Sequence, residues 1–254
     1  MLKRLLHSLL LLSLSLCLLS CATKDKTKTT PKDVADASKH LGEGYLGERN
    51  YTAALRELLK AEEINAKDPY LQNDLGLAYI GKEKLDIALI HFNKAVSLKP
   101  DYAGAWNNKG IVYLRLEEWD KAIESFDRAL EQLLYATPHF ALNNMGEAYR
   151  GKKEYARSIQ SYHKALAVQP GFYRAYRGMA LTYMAMGDYD AAAVSLEKAV
   201  ELAPDYALGF YDLGRIYVLK HKRQKAILAF KKAAQLAPDS TLAVAAKTEI
   251  SKLQ

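Results

Sequence analysis

A pattern of small and aromatic residues recurs at a nearly constant interval, and this repeat constrains the fold more than any other feature of the chain. Five times a glycine is followed three places later by a tyrosine, and in one further copy an alanine replaces the glycine. Successive copies begin 34 places apart, except that the fourth copy begins 36 places after the third. The six pairs are Gly42/Tyr45, Gly76/Tyr79, Gly110/Tyr113, Gly146/Tyr149, Ala180/Tyr183 and Gly214/Tyr217. A period of this length is the signature of a repeat architecture.

Each copy also contains the pattern of two amphipathic helices. In the second copy, the apolar residues of segment 85–98 are spaced three or four apart, which predicts a helix that ends before Pro100. Segment 70–80 predicts a preceding helix, and residues 81–83 predict the turn between them. One such pair cannot bury its apolar stripe alone, whereas stacked pairs share a continuous core. We therefore predict an all-α solenoid of six helix-turn-helix repeats with a C-terminal capping helix.

The repeat resembles the tetratricopeptide (TPR) repeat over residues 35–238. The resemblance implies a right-handed superhelix with a concave and a convex face, in which most of the 17 tyrosines fill space between helices. We place the solenoid at residues 34–254. The predicted repeats lie near 35–68, 69–102, 103–138, 139–172, 173–206 and 207–238, and the cap is 239–254.

Residues 1–20 predict a targeting signal. Lys3 and Arg4 precede an apolar run over residues 5–19, as in a secretory signal peptide. The run is too short for a permanent membrane span. The ending Leu18-Leu19-Ser20-Cys21 resembles a bacterial lipobox, which implies cleavage after residue 20 and acylation of Cys21 by a diacylglycerol. The alternative is an ordinary signal peptide with a chance cysteine.

Residues 21–33 are expected to form the lipidated cysteine and a flexible tether, because this segment has no hydrophobic residue larger than alanine after Cys21. By resemblance to bacterial sorting signals, Ala22 directly after the cysteine implies the outer membrane. We therefore expect a lipid-anchored protein that faces the periplasm.

Composition argues against catalysis and against metal or cofactor binding in the repeats. Both cysteines, Cys17 and Cys21, precede the repeats, and the histidines fall at unrelated places of different repeats, so we predict no catalytic residue, metal site or cofactor. Of the net charge of +7, residues 34–254 hold only +3, and their lysines are dispersed. We therefore expect no nucleic-acid partner and no small-molecule substrate.

In the TPR fold, the first helix of each repeat lines the concave groove. Counted from the first residue of each repeat (35, 69, 103, 139, 173 and 207), asparagine stands at the fifth place of three successive repeats and at the sixth place of two. Amides can donate to and accept from a peptide backbone, so these residues could hold an extended peptide. They could equally bridge neighbouring helices. The candidate groove residues are Asn73, Leu77, Asn107, Asn108, Ile111, Asn143, Asn144, Arg177, Leu181 and Tyr211. A carboxylate clamp is disfavoured, because Lys39 at a fifth place is followed by Glu43 at the ninth.

The longer spacing between the third and fourth copies reflects a short insertion that runs from Leu133 through Tyr135, Thr137 and Pro138 into Asn143. With the lipobox and the six repeats, it resembles the type IV pilus biogenesis lipoproteins of the PilF/PilW/Tgl kind. The resemblance implies a secretin pilotin, which binds secretin subunits and promotes their localisation and assembly at the outer membrane. The alternative is an envelope TPR scaffold that regulates peptidoglycan synthases or hydrolases. Both are non-enzymatic protein-binding roles.

Overall fold

The structure is a computed structural model that describes residues 30–254. In this range it contains thirteen α-helices and no β-strand. The helices are α1 (Pro31–Gly47), α2 (Tyr51–Asn65), α3 (Pro69–Gly81), α4 (Leu85–Leu98), α5 (Ala103–Arg115), α6 (Trp119–Leu130), α7 (Pro138–Gly151), α8 (Tyr155–Val168), α9 (Tyr173–Met186), α10 (Tyr189–Leu202), α11 (Ala207–Leu219), α12 (Arg223–Leu236) and α13 (Thr241–Lys252). Six hairpins follow one another along the chain. The odd-numbered helices from α1 to α11 are their first helices, and the even-numbered helices from α2 to α12 are their second helices. The predicted all-α architecture is confirmed.

The first helix begins earlier than the predicted start of the solenoid at residue 34. The tether was expected to extend through residue 33, but Pro31, Lys32 and Asp33 form the first turn of α1. Thr30 caps this turn: its hydroxyl accepts from the Asp33 N–H at 3.2 Å, and the Asp33 carboxylate accepts from the Thr30 N–H at 2.8 Å. This capping box and a proline at the first helical position favour helix over flexible chain. The signal peptide, Cys21 and the rest of the tether lie outside the described residues.

The small residue of each repeat allows the two helices of a hairpin to approach closely. A Cβ added at Gly110 would lie 2.5 Å from the ring of Phe126, and one at Gly76 would lie 2.6 Å from the ring of Phe92. Both rings are fully buried. Because glycine has no side chain, the ring on the second helix packs directly against the backbone of the first.

The turn between the two helices has the same backbone shape in all six hairpins. One residue in each turn has φ between 54° and 80°, in the left-handed region. These residues are Arg49, Glu83, Glu117, Lys153, Gly187 and His221. For the five that are not glycine this conformation costs about 1 kcal/mol. Its recurrence with different residue types indicates that helix packing, and not the turn sequence, sets the turn.

Contacts between helices place the first helices on the concave side. Every helix packs against its neighbours in sequence, and in addition α1 contacts α3, α3 contacts α5, α5 contacts α7 and α7 contacts α9. Within residues 30–254, second helices make no comparable contacts with one another. A curved stack is shortest on its inner side, so the helices that meet across a repeat line the groove. The result is the predicted solenoid of stacked helix pairs, with the first helices on its concave side.

The last helix closes the stack. Helix α13 packs against α12 and α11 and so takes the place of the first helix of a seventh hairpin. Ala243 and Ala246 on its inner face are fully buried. Its N-terminus is set by Ser240, whose hydroxyl accepts from the Ala243 N–H at 3.2 Å. The helix is therefore shorter than the segment 239–254 assigned to the cap.

Candidate peptide-binding groove

All ten groove residues predicted from the sequence lie on first helices. Asn73 and Leu77 are on α3; Asn107, Asn108 and Ile111 are on α5; Asn143 and Asn144 are on α7; Arg177 and Leu181 are on α9; and Tyr211 is on α11. The structure therefore places them along the concave side in the order of the repeats. Some of these side chains bond to a side chain of the neighbouring repeat, and others line a cavity on the concave side.

Asparagines form two hydrogen-bonded rungs between successive first helices. Asn108 Nδ2 donates to Asn73 Oδ1 at 2.9 Å, and Asn144 Nδ2 donates to Asn107 Oδ1 at 3.3 Å. In both rungs, the residue at the sixth place of one repeat donates to the residue at the fifth place of the repeat before. Asn73 and Asn107 are buried, so the rungs pair amide groups that would be costly to leave unsatisfied. Bridging, one of the two roles that the sequence left open, is thus present, and peptide holding stays a prediction.

The same two places form an ion pair between the last two repeats. Arg177 Nε donates to Asp212 Oδ2 at 2.7 Å, and Arg215 lies 3.5 Å from the other carboxylate oxygen. The Asp212 side chain is only 3% exposed. A carboxylate buried to this degree needs a cationic partner, so this rung stabilises the junction of α9 and α11.

The first two repeats give the groove an acidic end. Asp74 occupies the sixth place of the second repeat, and burial together with the charge of Glu43 raises its pKa to about 7. Lys39, at the fifth place of the repeat before, pairs with Asp68 at 3.1 Å and with Glu43 at 3.8 Å. Since Lys39 is shared among these carboxylates, it does not hold Asp74 in its charged form.

The predicted apolar groove residues are partly core. Leu77 packs against the cluster around Phe92, and Ile111 packs against the cluster around Phe126. Tyr211 lies with its ring centroid 5.4 Å from that of Phe230. These three side chains therefore support the groove floor as well as contributing to its surface.

The rung pattern breaks between α7 and α9. The sixth place of the fifth repeat is Gly178, which has no side chain to donate to Asn143 at the fifth place of the repeat before. Asn143 Oδ1 is buried without a hydrogen-bond partner, while its Nδ2 donates to Asn144 at 3.4 Å. A cavity of about 370 Å³ lies at this point, and Asn143, Arg177, Gly178 and Leu181 contribute to its lining.

Most of the lining was not predicted from the sequence: besides Gly178, it includes Glu147, Arg150, Tyr162, Arg174, Tyr206 and Leu208. Arg150 lines it with a buried Nε that has no partner, although a terminal nitrogen of its guanidinium lies 3.5 Å from Glu147. Tyr162 forms its base, since a Cβ at Gly178 would lie 2.3 Å from the tyrosine ring. Burial raises the pKa of Tyr162 to about 12, so the phenol stays neutral. The sequence did contain a signal for this site. Among the six repeats, Tyr162 is the only tyrosine at the large-residue position of the second helix, and Gly178 is the only glycine at the sixth place.

Comparison with family models decides the family. Tetratricopeptide repeat models match residues 70–102, 101–171, 173–206 and 209–240, which is more than half of the chain. The chain belongs to the tetratricopeptide repeat family. Its first TPR hairpin precedes the matched residues, yet it packs by the same rule: a Cβ at Gly42 would lie 2.6 Å from Leu58.

Solved structures of other TPR proteins share the fold. PilW, a widely conserved type IV pilus biogenesis factor, superimposes with a TM-score of 0.75 at 24% identity, covering 82% of this chain and 96% of PilW. PilF of Pseudomonas aeruginosa gives 0.69 at 20% identity, covering 86% and 99%. YrrB, a TPR protein with an unusual peptide-binding site, gives 0.50 at 24% identity, covering 75% and 97%. Comparison with curated proteins gave no match.

The insertion of this TPR protein forms a second open feature. Residues 131–137 connect α6 to α7, and within this segment Leu133 and Leu134 are 97% and 94% exposed. A cavity of about 580 Å³ separates the segment from Tyr70 and Tyr102. The longer spacing between the third and fourth TPRs thus creates a surface that the regular repeats do not have.

Residues 30–254 contain no group of three or more histidine, cysteine or acidic side chains arranged to hold a metal ion. His91 contacts Gln72, with 2.8 Å between its Nδ1 and the amide oxygen. Over the same range, no helix has the length and apolar character needed to span a membrane.

Proposed function

We propose that this TPR protein is a non-enzymatic, lipid-anchored pilotin of the outer membrane that binds secretin subunits during type IV pilus biogenesis. The observation that carries the proposal is the similarity of fold to PilW and PilF, which covers 96% and 99% of those proteins and 82% and 86% of this chain. PilW is a widely conserved type IV pilus biogenesis factor, and this similarity favours the same process for the present chain.

The N-terminal sequence supports attachment of this protein to a membrane through a lipid. The lipobox ending in Cys21 supports attachment of acyl chains to the mature N-terminus. Several acyl chains on one residue hold a protein at a membrane far more firmly than a single chain. With the solenoid held at the inner leaflet of the outer membrane, a bound secretin subunit would be delivered to that surface, and its local concentration would rise.

The groove supports a polypeptide partner. Its lining combines amide side chains, a buried ion pair, partly buried apolar residues and an unfilled cavity between α7 and α9. Such a surface can hydrogen-bond a chain segment and accept single side chains in pockets. YrrB, with a similar fold, has a peptide-binding site, which favours the same use of the solenoid here.

The test is to replace the lipidated residue. In a Cys21→Ala variant, we expect the solenoid to fold normally, the protein to leave the membrane fraction, and SDS-resistant secretin multimers to be lost. Cys17→Ala is the matched control, because Cys17 lies within the predicted signal peptide and should have no effect on either readout. Undiminished secretin multimers in the Cys21→Ala variant would refute the pilotin role.

A pull-down from solubilised envelopes identifies the partner directly. We expect the wild-type protein to retain a secretin. Retention of a peptidoglycan synthase or hydrolase in place of the secretin would replace this proposal with the scaffold role.

A further inference from the structure

The last hairpin carries a concentrated positive charge. Residues 213–238 contain seven lysines and arginines and no aspartate or glutamate, whereas residues 34–254 as a whole hold a net charge of only +3. Three of the seven bind a carboxylate or a main-chain oxygen of the chain itself, and the other four have no ion-pair partner within residues 30–254. The bound ones are Arg215, Lys220 and Arg223, and the others are Lys222, Lys225, Lys231 and Lys232.

Lys225 and Lys232 differ from the cations at the same two places of the earlier second helices. In the five earlier hairpins these places hold seven lysines and arginines, six of which form an ion pair; among the described helices, Lys164 is the exception. Helix α12 therefore presents two cations for which the described part of the chain supplies no carboxylate. The six earlier pairs are Lys60–Glu57, Lys94–Glu62, Lys121–Glu118, Arg128–Glu131, Arg157–Glu154 and Lys198–Glu201.

An apolar cavity adjoins these two lysines. It has a volume of about 270 Å³ between α11 and α12, and Lys225 and Lys232 both line it. Leu228, which stands between them on α12, is 66% exposed. None of the ten groove residues lines this cavity, so it is separate from the concave groove. Its other lining residues are Phe210, Leu213, Tyr217, Leu228 and Ala229.

We propose that this basic cleft, formed by the cavity and its two lysines, docks a polypeptide segment in which an aromatic or aliphatic side chain stands between carboxylates. The apolar side chain would enter the cavity, and the carboxylates would pair with Lys225 and Lys232, as carboxylates of the chain itself pair with the corresponding cations of earlier hairpins. The two lysines are seven residues apart on one helix, so their backbone positions lie about 10 Å apart. About three residues of extended polypeptide cover this distance.

The shape of the basic cleft favours a polypeptide over an anionic membrane surface. Apolar side chains that enter a bilayer project from the protein, whereas Leu213, Tyr217 and Ala229 are buried at the floor of a recess. A recess accepts a single side chain that projects from a partner chain. The partner is therefore a second polypeptide that binds outside the groove, and the basic cleft does not depend on the pilotin role.

One carboxylate adjoins the cavity from the opposite side. Glu197, an exposed residue of α10, accepts from the Tyr217 hydroxyl at 2.7 Å. Its charge would repel an acidic segment, whereas the two lysines attract one. The guest carboxylates should therefore lie on the α12 side of the cleft.

The test uses the detergent-solubilised, full-length lipoprotein and three capped pentapeptides: phenylalanine between pairs of glutamates, phenylalanine between pairs of glutamines, and alanine between pairs of glutamates. Saturation-transfer NMR at low ionic strength measures the affinity of each. We expect the first to bind at least about fivefold more tightly than the other two, because the second lacks the ion pairs and the third lacks the apolar side chain. Equal affinity of the first peptide and either other one, or no binding at all, would overturn the inference.

A charge-matched pair of double variants locates the site. Lys225→Gln with Lys232→Gln should abolish the preference for glutamate; both lysines are exposed, so the melting temperature should not change. Lys67→Gln with Lys84→Gln removes the same charge at exposed places in the first two hairpins and should keep the preference. If the two double variants behave alike, net charge explains the binding and the inference is wrong.

Two further measurements identify the guest and its position. Glu197→Gln should tighten binding of the glutamate–phenylalanine peptide about twofold, and binding that is no tighter would overturn its placement at this cavity. Adding phosphatidylglycerol to the micelles, or a single-stranded oligonucleotide to the solution, should not displace the peptide. Displacement by either would assign the basic cleft to lipid headgroups or to nucleic acid and overturn the inference.

The two proposals fail separately. Equal binding of the three peptides, with secretin assembly still dependent on Cys21, would overturn only the basic cleft. A clear preference for the first peptide, together with secretin assembly that does not need Cys21, would overturn only the pilotin role.

Discussion

Replacing Asp74 with asparagine should stabilise the protein, and the gain should increase with pH. Burial and the nearby charge of Glu43 raise the pKa of Asp74 from 3.8 to about 7. Between these two values, the folded protein therefore holds a proton on Asp74 that the unfolded chain has already released. Asparagine is neutral at every pH and has nearly the same shape. It also stands at this sixth place in the third and fourth repeats, so the fold accommodates it.

The size of the effect follows from the difference between the two pKa values. The contribution of Asp74 to the free energy of unfolding is greatest below pH 3.8. It decreases as the pH rises from 3.8 to about 7, and above that pH it no longer changes. One pKa unit corresponds to about 1.4 kcal/mol, so the raised pKa of Asp74 lowers the free energy of unfolding, relative to its value at low pH, by roughly 2 kcal/mol at pH 5 and roughly 4 kcal/mol at pH 8. The advantage of asparagine over aspartate should thus grow by about 2 to 3 kcal/mol between these pH values.

Urea unfolding of the wild type and of Asp74→Asn at pH 5 and pH 8 measures this difference. Comparing the two proteins at each pH cancels the contributions of the other titrating groups. Carbon-13 NMR of the Asp74 carboxyl reports its pKa directly, and Glu43→Gln should lower that pKa because it removes the neighbouring charge. A gain that is the same at both pH values, or a pKa near 3.8, would refute the reasoning.

Two further substitutions test the packing of the hairpins and the buried ion pair. Gly110→Ala should lower the free energy of unfolding by about 1–3 kcal/mol, because the new Cβ would lie 2.5 Å from the Phe126 ring; urea unfolding measures it. Arg177→Ala should cost about 3 kcal/mol by thermal or urea unfolding, since it leaves the carboxylate of Asp212 buried with only Arg215 nearby at 3.5 Å.

Matched variants separate these effects from general sensitivity to mutation. Gly44→Ala adds a Cβ with nothing within 4 Å and should be neutral or stabilising by up to about 1 kcal/mol. Arg215→Ala removes a half-exposed partner and should cost less than about 1 kcal/mol. If Gly110→Ala resembles Gly44→Ala, or Arg177→Ala resembles Arg215→Ala, the corresponding packing or ion-pair argument is wrong.

Much of the fold could be predicted from the sequence because the repeat is a local rule. The glycine or alanine on a first helix and the large side chain on the second are close in sequence, as in Gly110 and Phe126, and they meet within one hairpin. A rule that operates inside each hairpin appears at the same spacing in every copy. The hairpins and their stacking could therefore be predicted without coordinates, whereas the helices that line the groove were expected from the resemblance to the TPR fold.

The start of α1 was missed for the opposite reason. Composition favoured a flexible tether up to residue 33, and it gave no weight to Thr30, Pro31 and Asp33 as helix-start residues. A capping box needs only two side chains, so it can extend a helix into a segment with no apolar residue to bury.

The sequence by itself determined the period, the number of hairpins and the residues that stand at the fifth and sixth places. Tertiary structure alone decided how those residues pair, because Asn73 meets Asn108 across 35 positions of the chain. It also decided that Asp74 is largely buried near Glu43 and that the side-chain oxygen of Asn143 has no hydrogen-bond partner. Hydrogen bonding and pKa depend on the atoms that surround a group in space, and those atoms come from different repeats.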